Sequence, residues 1–111
     1  MNQQPNKALS YLGLAMRAGK LAFGEEGVLK AVRSGQARLV VIAEDASDNT
    51  LKKFQDKCRH YNVAHVQRFS RYELGAAIGK EARVLVAVTD EGLARLIKPC
   101  LVQPPEVKPI D

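Results

Sequence analysis

The sequence predicts an α/β fold in which a sheet, parallel at its centre, is sandwiched between helices. Residues 38–43 (RLVVIA) and 84–88 (VLVAV) are apolar runs bounded by turn residues, the pattern of strands covered on both faces. Between and around them lie segments whose apolar residues recur every three or four positions. Such alternation of helix and strand favours a layered arrangement. At 111 residues and 46% hydrophobic content the chain can bury one core but is too short for two domains.

The first helix is expected over residues 6–18, where Leu9, Leu12, Gly13 and Met16 form an inner stripe and Gly19 stops it. A short strand over 20–23 leads to Gly24. A second helix follows, with Val28, Ala31 and Val32 inward and Gly35 past its end. After the strand at 38–43, Ser47, Asp48 and Asn49 open a third helix. Leu51, Phe54, Cys58 and Tyr61 share one of its faces; Lys52, Lys53, Asp56, Lys57 and Arg59 share the other. Residues 64–69 read as a strand. Ser70-Arg71-Tyr72-Glu73 has the Ser-x-x-Glu form of a capping box, starting a short helix that ends near Gly79. After the strand at 84–88, Thr89, Asp90 and Glu91 cap and charge a last helix carrying Leu93, Leu96 and Ile97. Three more prolines follow Pro99, so residues 1–98 read as the domain and 99–111 as a Pro-rich flexible tail.

Lys and Arg number 17 against 12 Asp and Glu, a formal net charge of +5. That surplus suits an anionic partner and says nothing about fold. Because the basic residues are spread along the chain, they predict a basic face on a folded body rather than a basic arm. Two distant cysteines, a buried Cys58 and a Cys100 near the C-terminus, fit a reduced, cytosolic protein. The opening MNQQPNKAL lacks the basic and apolar regions of a signal peptide, and no run approaches the ~20 apolar residues of a membrane span. A cytoplasmic protein without a membrane partner is expected.

Catalytic chemistry finds little support. Residues 13–20 (GLAMRAGK) superficially resemble a phosphate-binding P-loop, but five residues separate the glycines where the motif has four, and Leu21 stands where a hydroxyl would hold magnesium. A helix end followed by a basic turn is the simpler reading. Glu44 and Asp45 lie at a strand end, where open sheets place ligands, yet no partner at suitable spacing gives them an acid–base or metal role. They read as structural or as helix-charge residues. His60 and His65 have no Cys or His at ligand spacing. No enzyme activity, catalytic residue, metal site or cofactor is predicted.

Two segments suit an anionic ligand better. A helix start exposes unpaired backbone N–H groups and a partial positive charge, and Gly24 lets another backbone approach closely at the start of the second helix. Lys30 and Arg33 project from that helix three residues apart. Arg68, Phe69 and Arg71 offer one ring and two guanidinium groups at a strand-to-helix turn. Stacking on an unpaired base is worth ~1–3 kcal/mol; Phe69 equally suits the core.

Residues 24–30 (GEEGVLK) and 34–45 (SGQARLVVIAED), with Leu74-Gly75, Ile78-Gly79 and the strand at 84–88, resemble the L-seven-Ae ribosomal protein family. Residues 12–15, 17–20, 45–47, 56–58 and 79–83 bring its bacterial YlxQ-like branch closest. The likeness spans roughly residues 8–98. It implies a three-layer α/β/α sandwich with a mixed four-stranded sheet, and a non-catalytic protein that binds kink-turn or ribosomal RNA. It further implies that Gly24, Glu25, Glu26, Gly27 and Lys30 meet sheared G·A pairs in the kinked RNA. Arg68, Phe69, Ser70 and Arg71 would cover a base thrown out of the stack. The implied partners are structured RNA and ribosome or ribonucleoprotein components, with the chain acting as a monomer.

The family's strongest binders carry Gly-Thr-Asn-Glu where this chain has Gly24, Glu25, Glu26 and Gly27. Glu26 can accept from guanine N1 and N2 but brings negative charge towards phosphates. The alternative expectation is a protein-interaction module on the same fold that has lost specific RNA recognition.

Overall fold

The computed structural model describes residues 6–101. Side-chain caps set where its helices begin. Asn6 Oδ1 accepts from the Ala8 N–H at 2.7 Å and starts α1 (Lys7–Arg17). β1 (Leu21–Phe23) runs directly into α2 (Gly24–Arg33), and β2 (Leu39–Ile42) follows. Ser47 Oγ accepts from the Thr50 N–H at 3.1 Å at the head of α3 (Asp48–His60). After β3 (Ala64–Gln67), Ser70 and Glu73 form the reciprocal capping box that their spacing predicts, at the start of α4 (Arg71–Ala77). Beyond β4 (Leu85–Val88), Asp90 Oδ2 accepts from the Leu93 N–H at 2.9 Å at the head of α5 (Glu91–Leu101).

The strands lie in the order β1-β4-β2-β3. β2 and β3 are parallel, while β4 runs antiparallel to both β1 and β2. The central pair, β4 with β2, is thus antiparallel where parallel pairing was expected, because the chain after α4 comes back to Arg71, at the edge where β3 ends, before β4 begins. β1, β2 and β3 therefore end at one edge of the sheet, and α2, α3 and α4 all start there. This topology positions the candidate site.

Alternation along the central strands divides the core into two layers. Leu39, Val41, Val86 and Val88 face α1, α4 and α5, where they meet Leu12, Leu74 and Ile97. Val40, Ile42, Leu85 and Ala87 face α2 and α3, where they meet Val28, Val32 and Phe54. The result is the three-layer α/β/α sandwich with a mixed four-stranded sheet. Fully burying a side chain such as Leu12 or Phe54 stabilises the fold by about 1.5–3 kcal/mol. Cys58 lies in the second layer, and burial pushes its thiol up to about 11. It is a packing residue, held in the unreactive thiol form at neutral pH.

Three local expectations shift. The last helix passes Pro99 and continues to Leu101, three residues beyond the expected boundary at 98. Proline lacks the N–H for one helical bond, but this falls in the final turn, and Leu101 is 4% exposed against the first core layer. The rest of the expected tail, residues 102–111, lies outside the described residues. β3 stops at Gln67, because Phe69 takes a left-handed backbone (φ 67°) that turns the chain into α4. Tyr61 is the C-cap of α3 rather than part of its buried face, and it is 40% exposed.

Candidate nucleic-acid interface

The shared sheet edge brings the two singled-out segments together. Gly24 turns the chain from β1 into α2 at φ 82°, a conformation strained for any residue with a Cβ. The N-cap of α2 is Phe23, whose side chain makes no capping bond, and among the described residues no side chain caps the first N–H groups of this helix. Beside them opens a cleft of about 330 Å³, lined by Gly24 and Glu25 of α2, Thr50 of α3, Arg71 of α4, and Arg83 and Leu85 at the entry to β4.

Along α2 the predicted residues separate by direction. Glu25 turns towards α3, accepting from the Thr50 hydroxyl at 3.4 Å and pairing with Lys53 at 3.7 Å. Glu26, Lys30 and Arg33 project from the outward face at helical spacing, and all are exposed. Neither Lys30 nor Arg33 is in an ion pair among the described residues. Gly27 is half-buried between them and β1, with Ala22 as its nearest neighbour.

The β3–α4 turn is arranged differently from what its sequence suggests. The Phe69 ring is 5% exposed and packs in the first core layer, so it fills the core rather than a stacking role on the surface. The Arg68 guanidinium lies over that ring at 4.8 Å, with its Nε buried and without a hydrogen-bond partner among the described residues. Ser70 is occupied as the cap of α4. Arg71 is clamped to Asp45: its backbone N–H donates to Oδ1 at 2.9 Å, its Nε to Oδ2 at 3.3 Å and its Nη2 to the Asp45 carbonyl at 2.6 Å. Desolvation pushes the Asp45 carboxyl up, but the Arg71 N–H, Asp45's own backbone and the Arg71 guanidinium together hold it below its usual range. Asp45 thus anchors Arg71 at the mouth of the cleft.

Two basic residues beside the start of α2 were not singled out from the sequence. Lys80 Nζ and the Arg83 guanidinium each lie 5.3 Å from the centre of the Phe23 ring, immediately before Gly24. Both belong to the loop between α4 and β4, which the Arg83 N–H ties to the Arg71 carbonyl at 2.9 Å. The loop sits close over Gly75, where a Cβ would stand 1.8 Å from the Glu81 carbonyl oxygen. Residues 79–83 carried only a likeness in sequence; their approach to Phe23 follows from β4 lying beside β1.

The cleft therefore combines the start of α2 with two guanidinium groups around a partly apolar wall, and the Lys80 ammonium lies nearby over Phe23. Such groups suit phosphate oxygens and base edges. Among the described residues no three His, Cys, Asp or Glu side chains gather to hold a metal ion, and no helix is long and apolar enough to cross a membrane.

Comparison with known proteins agrees with this architecture. The sequence model of the ribosomal protein L7Ae/L30e/S12e/Gadd45 family matches residues 6–98. The chain is 55% identical over 83 residues to RNA-binding protein YlxQ of Bacillus subtilis, covering 75% of this chain and 83% of that one. It is 44% identical over 92 residues to RNA-binding protein YlxQ of Enterococcus faecium, covering 83% and 88%. A solved structure of a protein of unknown function from Bacillus halodurans superposes with a TM-score of 0.83 at 45% identity, covering 86% of this chain and 97% of that one.

Proposed function

Because the chain belongs to the ribosomal protein L7Ae/L30e/S12e/Gadd45 family, we propose that it is a non-catalytic RNA-binding protein recognising kink-turn or ribosomal RNA. The observation that carries this reading is the meeting of Gly24, Arg71 and Arg83 in one cleft at the edge where α2, α3 and α4 begin. The relatives named as RNA-binding proteins support it.

In this reading the start of α2 enters the bent RNA. Gly24 allows the close approach, and Glu26 accepts from the N1 and N2 of a guanine. Lys30 and Arg33 neutralise phosphates on either side. The cleft takes a base expelled from the stack, with Arg71 and Arg83 over its faces and edges. Arg71 arrives oriented by Asp45, so little side-chain entropy is lost on binding. Positioning falls to phosphate contacts and specificity to the fit of cleft and helix start to an RNA already bent.

The test is a fluorescence titration of a kink-turn RNA at several salt concentrations. Binding should weaken steeply with salt, and Lys30→Ala should lower the slope of log K against log salt by about one unit. No binding at low salt would refute the proposal, and an unchanged slope would remove Lys30 from the phosphate contacts.

A further inference from the structure

The outer surface of the α2/α3 layer extends away from the cleft. Helical periodicity places Thr50, Lys53, Lys57 and His60 on one flank of α3. That flank faces α2, because Thr50 and Lys53 reach Glu25 there. A depression of about 480 Å³ lies on it, lined by Lys53, Asp56, Lys57, His60 and Tyr61. At its far end the His60 and Tyr61 rings meet edge to face, with centroids 4.8 Å apart. The depression's one carboxylate, Asp56, pairs with Arg59 at 3.6 Å, whereas Lys57 is in no ion pair among the described residues.

A lysine-bearing helix face is ordinarily just solvated. This one differs in ending on two exposed rings, and in beginning at Lys53, which touches the cleft's own Glu25. Lysines followed by aromatic rings are the elements with which proteins hold single-stranded nucleic acid, the cations on phosphates and the rings under bases. From Lys53 to His60 the flank runs about 10 Å at ~1.5 Å per residue, room for roughly two nucleotides.

We propose that this flank of α3 is a second RNA contact, taking an unpaired strand as it leaves the cleft. Lys53 and Lys57 hold its phosphates, and a base packs against Tyr61 and His60. The inference rests on the RNA-binding reading above and extends its footprint.

The test compares a kink-turn RNA with short blunt arms against the same RNA carrying a ten-nucleotide oligoadenosine extension at one strand end or the other. Wild-type protein should bind one extended RNA about tenfold more tightly, with a salt slope steeper by about 0.7 per added phosphate contact. Lys57→Glu should abolish that gain while leaving short-RNA affinity within about twofold, and Lys57→Arg should retain it. Short-RNA binding with no gain from either extension would overturn this inference alone. Equal weakening on both RNAs by Lys57→Glu would also overturn it, marking a general charge effect. Failure to bind even the short RNA would remove the function it extends, and this proposal with it.

Discussion

Gly75→Ala lowers the melting temperature by about 10 °C or more. The added Cβ would stand 1.8 Å from the Glu81 carbonyl oxygen, 2.6 Å from its carbon and 3.0 Å from Ala82 Cα. All three are backbone atoms, so no side chain can swing aside; α4 and the 79–83 loop must separate. Overpacking of this kind costs ~1–3 kcal/mol or more, and each kcal/mol shifts the midpoint of a small domain by ~4–8 °C. Because the same loop carries Arg83 to the cleft and Lys80 to Phe23 beside it, RNA affinity should fall with stability. Gly27→Ala is the control, since its Cβ meets only Ala22 Cβ at an ordinary 3.9 Å. That variant should match or exceed the wild type in stability, by up to ~1 kcal/mol, because alanine is the better helix residue. Calorimetry of the two variants checks the packing, and a Gly75→Ala midpoint within two or three degrees of wild type would contradict it.

Arg71→Ala reduces affinity for a kink-turn RNA by about 10–100-fold while leaving the fold nearly intact. The loss corresponds to ~1.5–3 kcal/mol, the range for hydrogen bonds to a charged group. Stability changes little because the Arg71–Asp45 pair lies near the surface, its side chains 37% and 41% exposed, where such pairs contribute ~0–1 kcal/mol. Arg71→Lys should recover only part of the affinity, since an ammonium cannot reproduce the fork that reaches both the Asp45 carboxylate and its carbonyl. Titration and thermal melting of the same preparations separate the two effects. Wild-type affinity in Arg71→Ala would exclude this side chain from the interface.

What the sequence made legible were the features encoded locally. The apolar runs of β2 and β4, the capping box at Ser70 and Glu73, and the glycine that opens α2 each depend on neighbours a few residues away. What it hid depends on topology. Nothing near Phe23 announces Lys80 and Arg83, which arrive because β4 crosses to pair with β1. The Asp45–Arg71 clamp spans 26 positions and forms because β2 and β3 end side by side. Phe69 looked able to face either way; its left-handed backbone sends the ring into the core and leaves Arg68 stacked above it. Pro99 looked like a stop, but burial of Leu101 keeps the helix going for one more half-turn.

The central claim is that the edge at Gly24 recognises a kink rather than mere negative charge. The measurement that tests it most directly is a titration with a kink-turn RNA and with the same RNA whose sheared G·A pairs are replaced by Watson–Crick pairs. The expected result is tight binding to the first and loss of at least a hundredfold on the second, despite Glu26 and Gly27 at the helix start. Equal, weak and strongly salt-dependent binding to both would contradict it, reducing the basic face to simple electrostatics.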